Sequence, residues 1–379
     1  MKILFLVNHY NTLRVFRKEL LIKLNSEGHK VLVSLPFDKE EYMDELKSLG
    51  CELVDTPVER RGQNPIKDFK LFLIYKKIIK DIKPDVVLTY TVKPNIYGIK
   101  AASDLKVPSI ATVTGLGSAF QGEGFGKKIL VLLYKWALHN ATKVFFQNEN
   151  NRDVLADLGI VNKNNTIITP GSGVNVEEFP FTPYPKEDEN LNFLFVGRIM
   201  KEKGIEELFE VIERLNEYYN NLTFEFIGWY EDNYKERAME LIKKGYIVYH
   251  GFQNDVKPFI ERCHCLVIPS YHEGMNNSLL EASSMGRPVI TTSVPGCKEA
   301  VIEGDTGFLC EVRSAESLYN KIVDFINLPY NVKADMGKKA REFMIEKFRK
   351  EIVVDMYLDQ ITNHKSQKRP VRSTKVRGL

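Results

Sequence analysis

Long apolar runs are missing from this chain. The richest stretches, Leu71 to Ile79 and Ile129 to Leu138, are broken by lysines and fall short of the roughly 18 to 20 apolar residues that span a bilayer. No transmembrane helix is therefore expected. The opening MKILFLVNHY has one lysine, a short β-rich run and no small-residue cleavage site. It reads as a buried first strand rather than a signal peptide, which points to the cytoplasm. Cysteine is scarce and odd in number: Cys51, Cys263, Cys265, Cys297 and Cys310 sit mostly inside apolar strand-like runs, which excludes a disulfide scaffold. The Cys263-His264-Cys265 cluster has no second ligand pair nearby, so core packing is expected there rather than a metal. Glycine is absent from the first strand-to-helix turn, Asn8 to Leu13, and the dinucleotide fingerprint GxGxxG has no place to sit. Strongly basic sequence is confined to the tail Lys365 to Arg377, so nucleic acid is not expected as a partner.

What is present is the composition of an ordinary globular protein, 44% hydrophobic and 27% charged over 379 residues. That length implies two or three domains at roughly 150 residues each. The net charge of +3 is unevenly spread. Residues 1 to 186 carry 26 basic and 20 acidic side chains, residues 187 to 364 carry 21 and 30, and the last fifteen carry six and none. A basic N-terminal half suits an anionic surface or acceptor; a plain solvated surface is the alternative.

Short β-branched runs alternate with amphipathic stretches, the order that gives α/β structure with parallel sheets covered by helices. Strands are expected at Lys2 to Val7, Lys30 to Leu35, Val86 to Thr89, Ser109 to Val113, Val144 to Gln147 and Thr166 to Ile168. The proline- and acid-rich stretch from Pro180 to Asn192 reads as a linker. A second series follows at Asn192 to Val196, Thr223 to Ile227, Ile247 to Tyr249, Cys265 to Ile268 and Val289 to Thr292. The expected organisation is one domain over 1–185, a second over 186–350, a helix over 351–364 returning to the first domain, and a disordered basic tail over 365–379. Ligands bind at the carboxyl ends of strands in such sheets, so the function is expected in a cleft between two facing domains.

Two segments carry chemistry. In the first, Gly197 and Arg198 leave a strand and Lys203 opens a helix, placing a guanidinium fork and an ammonium where a phosphate would sit. In the second, Glu273 and Glu281 bracket a helix start at Asn276, Asn277 and Ser278, whose first-turn amides suit a diphosphate. Basic residues in such turns are often only solvated, and two glutamates eight residues apart arise by chance in a charged helix. The strand before each segment gives the pair its specificity.

The GR-x4-KG segment at Gly197, the EG-x6-E segment at Glu273 and the GRPVITTSVPGCKEAV run from Gly286 resemble the C-terminal domain of retaining glycosyltransferases of family 4. Ile168 to Asn175 resembles the family's strand and turn before the interdomain linker, and Gly307-Phe308-Leu309 its later hairpin. The resemblance implies two facing doubly wound Rossmann-like domains, the GT-B fold, the first on the acceptor side and the second binding the nucleotide sugar, with no metal and no cofactor beyond that nucleotide-sugar substrate, which kinship implies is UDP-linked. It implies that Arg198 and Lys203 hold the donor diphosphate, that Glu281 holds the ribose and that Glu273, as the catalytic carboxylate, contacts the donor sugar near the reacting carbon. Gly274, Met275, Asn276, Asn277 and Ser278 would add contacts to sugar and phosphate.

The N-terminal part departs from the common family pattern. Asn8-His9-Tyr10-Asn11 replaces the glycine pair after the first strand, and Thr114-Gly115-Leu116-Gly117 stands where many relatives carry a histidine. His9, Tyr10, Thr114, Gly115 and Gly117 are the acceptor-side candidates. This variant resembles bacterial enzymes that build capsule, O-antigen or lipid-linked oligosaccharides, with a hexose or N-acetylhexosamine donor and a polyprenyl-diphosphate-linked or growing glycan acceptor. Lysines interleave with apolar residues along Lys67 to Lys83 and Lys127 to Lys135; such helices lie on anionic membranes or simply pack on a sheet. A sugar-nucleotide 2-epimerase of the same fold and a non-catalytic nucleotide- or glycan-binding subunit are the competing readings.

Overall fold

Ile3 and Phe5 enter one hydrophobic core while Leu4 and Leu6 enter another, the period of two that a strand buried on both faces imposes. This arrangement is seen in a computed structural model that describes residues 1–58, 64–116, 120, 124–187 and 190–367. The chain forms two compact units: Met1–Phe146, Arg152–Thr169 and the residues from Val353 make the first, and Gln147–Asn151 with Pro170–Ile352 make the second.

The first unit is built on seven strands: β1 (Lys2–Leu6), β2 (Lys30–Leu35), β3 (Glu52–Asp55), β4 (Val86–Tyr90), β5 (Ser109–Val113), β6 (Lys143–Phe146) and β7 (Thr166–Ile168). Their order is β3-β2-β1-β4-β5-β6-β7, with every pairing parallel. Strand β3 was not foreseen, because its four residues Glu-Leu-Val-Asp are half-exposed at the sheet edge and carry no buried apolar run. The helices Pro65–Ile82, Ile99–Asp104 and Phe125–Leu138 share one core with Leu4, Leu6 and Val87. On the other face, helix Lys18–Ser26 joins the helix Lys350–Gln367, which contributes Val353, Tyr357 and Ile361. Tyr357 stacks on Phe145 at 4.3 Å, and its hydroxyl lies 2.7 Å from Thr112 Oγ1. The buried Arg17 guanidinium lies against Tyr90 and Tyr357, 5.0 and 5.2 Å from the ring centres.

The second unit has β8 (Leu191–Val196), β9 (Leu222–Ile227), β10 (Ile247–Tyr249), β11 (Cys265–Ile268), β12 (Val289–Thr292) and β13 (Gly307–Cys310) in the order β10-β9-β8-β11-β12-β13. Gly307-Phe308-Leu309, expected as a hairpin, instead runs parallel to β12, with Val289 opposite Gly307. Both orders reverse direction beside their first strand, between β1 and β4 and between β8 and β11, and such a switch point is where open α/β sheets bind ligands. All five cysteines are buried and free. Burial pushes the Cys263 thiol up to about 12, and His264 Nδ1 accepts the Asn192 amide at 3.0 Å.

The stretch expected as a linker packs into the second unit. Just before it, Val174, Val176 and Phe179 join the same unit's core, and Arg341 donates to the carbonyls of Val176 and Phe179. Arg287, fully buried, fans its guanidinium over the carbonyls of Ile260, Glu261, Thr182, Pro183 and Met285. Prolines and acids hide this because the attachment is made by backbone carbonyls, which every residue possesses. Desolvation pulls the Arg287 pKa below its ordinary value, and the carbonyl cage compensates for the burial of the charge. The Arg287→Lys substitution removes the fork and is expected to lower stability by about 2 to 4 kcal/mol, seen as a lower urea midpoint. An unchanged midpoint contradicts this assignment.

Candidate functional site

The carboxyl ends of β8 and β11 lie side by side, and the loops leaving them are stitched together. After β8 the chain passes Gly197, Arg198 and Ile199 into a 3₁₀ turn, Lys201–Lys203, and then through Gly204 into the helix Ile205–Tyr218. Gly204 has φ 69°, and a Cβ on it would stand 2.1 Å from the Pro269 carbonyl oxygen, so only glycine permits this approach. The Tyr271 amide donates to the Glu202 carbonyl at 2.8 Å. These two contacts set Lys203 beside Glu273.

Lys203 Nζ and Glu273 Oε1 form a short ion pair, with 17% and 16% of the two side chains exposed. Glu273 Oε1 also accepts from Ser270 Oγ at 2.8 Å and from Asn276 Nδ2 at 3.3 Å. Lys203 reaches Glu273 past Gly197, where a Cβ would come within 3.8 Å of Lys203 Cε. The backbone under Glu273 is fixed from two sides. A Cβ on Gly296, at φ 85°, would lie 2.6 Å from the Glu273 carbonyl oxygen. Asn148 Nδ2 donates to the Gly274 carbonyl at 2.7 Å and to that of Glu273 at 3.3 Å. Asn148 lies far away in sequence, and no local pattern announces it.

The helix Asn277–Ser284 begins immediately afterwards, and its first-turn amides have no intrahelical acceptor. Asn276 occupies the N-cap but makes no capping bond through its side chain; that amide serves Glu273 instead. Arg198 Nη1 is 3.6 Å from Glu231 Oε2, with its side chain 40% exposed. Glu281 is not part of the Lys203–Glu273 group. Burial raises its carboxyl to about 7 against the opposing pull of Lys350. Met275 is buried and packs over Gly171, where a Cβ would come within 2.3 Å of Met275 Cγ. Its side chain is a core group, which leaves the backbone contact expected of it untouched, and Asn277 and Ser278 remain half-buried at the helix start.

Two features escaped the sequence reading. His272 Nε2 is buried without a hydrogen-bond partner, and desolvation holds the imidazole pKa below its usual value despite Glu273 and Glu202 nearby. Trp229 and Phe252, following β9 and β10, form an exposed aromatic pair with centroids 5.6 Å apart. Single aromatics in loops carry no motif.

In the first unit, His9 follows β1 and Thr114 and Gly115 follow β5, so these candidates share the carboxyl edge of that sheet. His9 Nδ1 accepts from the Asn11 amide at 3.2 Å. Tyr10 does not fit the role expected of it: it is buried, stacks on Tyr42 at 4.2 Å and donates to Glu45 Oε2, and desolvation moves its hydroxyl pKa upward. Gly117 lies outside the described residues. Thr91, directly after β4, adopts φ 71° with its buried Oγ1 unpartnered. A β-branched residue in that region is strained, and such strain concentrates at functional edges.

The raised Glu281 carboxyl gives a pH signature. A carboxyl whose folded pKa lies above its unfolded value favours folding at low pH, and that contribution is lost as pH rises through about 7. The melting temperature of Glu281→Gln should therefore gain on wild type between pH 5 and pH 8; a difference independent of pH contradicts the assignment.

Residues 2–148 match the family described as glycosyl transferase 4-like, and residues 176–343 match glycosyl transferases group 1. The chain is 27% identical over 375 residues to the N,N'-diacetylbacillosaminyl-diphospho-undecaprenol alpha-1,3-N-acetylgalactosaminyltransferase of Campylobacter jejuni, covering 94% of this chain and 97% of that one. It is 28% identical over 337 residues to the UDP-Gal:alpha-D-GlcNAc-diphosphoundecaprenol alpha-1,3-galactosyltransferase of Escherichia coli, covering 81% and 84%. Anabaena HepE in complex with UDP superposes with a TM-score of 0.75 at 16% identity, covering 96% of this chain and all of that one. With its two parallel-sheet α/β units, this chain has the GT-B fold and belongs to the glycosyl transferase 4-like and group 1 family of glycosyltransferases.

Proposed function

We propose that this chain moves a hexose or N-acetylhexosamine from a UDP-sugar to a polyprenyl-diphosphate-linked acceptor in bacterial surface polysaccharide synthesis, with retention of anomeric configuration and without a metal. The observation that carries this reading is the Lys203–Glu273 pair beside the N-terminus of helix Asn277–Ser284, at the switch point between β8 and β11. The names of the two curated relatives support it, since both act on diphosphoundecaprenol-linked sugars and one uses UDP-Gal.

The chemistry follows from charge. Breaking the bond between the anomeric carbon and the phosphate oxygen leaves its electron pair on UDP, and positive charge grows on the sugar ring. Lys203, Arg198 and the first-turn amides of the helix would offset the diphosphate. Glu273 would face the ring near the reacting carbon. In this reading the acceptor hydroxyl attacks from the face the UDP leaves, and its proton passes to the departing phosphate oxygen. The exposed Trp229–Phe252 pair offers a stacking surface for the base.

The test supplies UDP-sugars and a polyprenyl-diphosphate-linked acceptor in detergent with EDTA, and follows UDP release and product mass. Elongated lipid and equal amounts of UDP are expected, with Lys203→Ala and Arg198→Ala each lowering kcat/KM by about 10²- to 10³-fold. UDP, but not NAD, should raise the melting temperature. Conversion of the UDP-sugar to its 2-epimer without acceptor would establish the epimerase instead, and full activity in Glu273→Ala would remove the assigned carboxylate.

A further inference from the structure

Asn148 is 2% exposed, and both polar atoms of its side chain are committed. Its Oδ1 accepts the Asn151 amide at 2.8 Å. Its Nδ2 donates to the Gly274 carbonyl at 2.7 Å and to the Glu273 carbonyl at 3.3 Å. The orientation of the amide is therefore fixed, with the oxygen on a donor and the nitrogen on two acceptors. Asn148 and the Glu273 loop belong to the same unit. The neighbouring Gln147 is pinned separately, its Nε2 donating to Ser172 Oγ at 2.9 Å.

A trans peptide unit is planar, so its N–H points opposite to its carbonyl. The Glu273 carbonyl shares one such plane with the Gly274 N–H, and the Gly274 carbonyl shares the next with the Met275 N–H. Both carbonyls converge on Asn148 Nδ2, so both N–H groups are turned away from Asn148. Among the described residues neither has an acceptor, whereas the following N–H, that of Asn276, is taken by the Gly296 carbonyl at 2.9 Å. The Met275 side chain is packed over Gly171, which leaves the backbone as what this turn presents. The two aimed N–H groups adjoin the Glu273 carboxylate on one side and lead into the first turn of helix Asn277–Ser284 on the other.

We infer that Asn148 is a positioning residue for the sugar end of the donor. By turning two successive peptides it aims the Gly274 and Met275 N–H groups, and with them Glu273, at the β-phosphate and the sugar ring rather than at the uridine. The inference rests on the donor reading proposed above and adds a residue that touches no substrate itself. Asparagine suits the task because one nitrogen supplies two donors while the oxygen caps Asn151. With the carbonyls released, the peptides are free to turn, and the ligand then carries the cost of ordering them.

Isothermal titration calorimetry compares UMP, which lacks the β-phosphate and the sugar, with UDP-galactose and UDP-N-acetylgalactosamine. The proteins are wild type, Asn148→Ser and Asn148→Asp, at pH 8 so that the introduced carboxyl is ionised. Both substitutions leave an oxygen to cap Asn151 and remove the donating nitrogen. The dissociation constant for the UDP-sugar that wild type binds should rise about tenfold in both variants, while that for UMP stays within about twofold. Gln147→Leu removes the adjacent bond to Ser172 without touching the turn. It should lower the melting temperature and leave the ratio of the two dissociation constants unchanged. Equal weakening of UMP and UDP-sugar in the Asn148 variants, an unweakened UDP-sugar, or the same selective loss in Gln147→Leu overturns the inference. So does loss of the melting transition in both Asn148 variants, which would make the residue a structural one. Wild type that binds neither ligand overturns the donor reading and this inference with it; wild type that binds both, with the ratio unchanged in the variants, overturns this inference alone.

Discussion

Everything at the carboxyl edge of the second sheet depends on keeping one ammonium and one carboxylate together in a half-buried place. Lys203 and Glu273 belong to loops that leave different strands, and a pair of this kind survives only where the backbone is held and the remaining polar atoms are satisfied. Gly204 against Pro269, Gly296 against Glu273, and Asn148 beneath the Glu273 and Gly274 carbonyls do the holding. Ser270 and Asn276 add donors to the carboxylate. In the proposed function, a diphosphate arriving at the helix N-terminus would compete with Glu273 for the ammonium, and the pair would serve as a placeholder for the donor's charge.

The parallel α/β organisation was legible because buried strands are written as continuous β-branched runs, and the motifs around Arg198, Lys203 and Glu273 because each directly follows such a run. The illegible parts have identifiable physical causes. Glu52–Asp55 is a half-exposed edge strand that needs little hydrophobicity. The stretch from Pro180 to Asn192 reads as a linker, since Arg287 holds Thr182 and Pro183 within it through backbone carbonyls. Tyr10 was expected to face the acceptor because it stands in the loop after the first strand, but a large side chain beside a strand end can equally turn inward, as it does. Asn148 and Thr91 matter through a distant hydrogen bond and a backbone angle, and neither leaves a sequence pattern.

Two places stand out in the first unit. The carboxyl edge of its sheet gathers His9, Thr91 and Thr114, with strain stored at Thr91. The outer face of its helices gathers apolar side chains and unpaired lysines. The two lysine-interleaved helices, for which lying on a membrane and packing on a sheet were the alternatives, divide their apolar residues between core and surface.

The competition for Lys203 can be measured by titrating UDP calorimetrically into wild type and Glu273→Gln. Removing the carboxylate's charge frees the ammonium for the diphosphate, so UDP should bind the variant as tightly as wild type or several-fold more tightly, by about 1 kcal/mol, while sugar transfer is lost. Weaker UDP binding in Glu273→Gln, with transfer retained, would contradict the account.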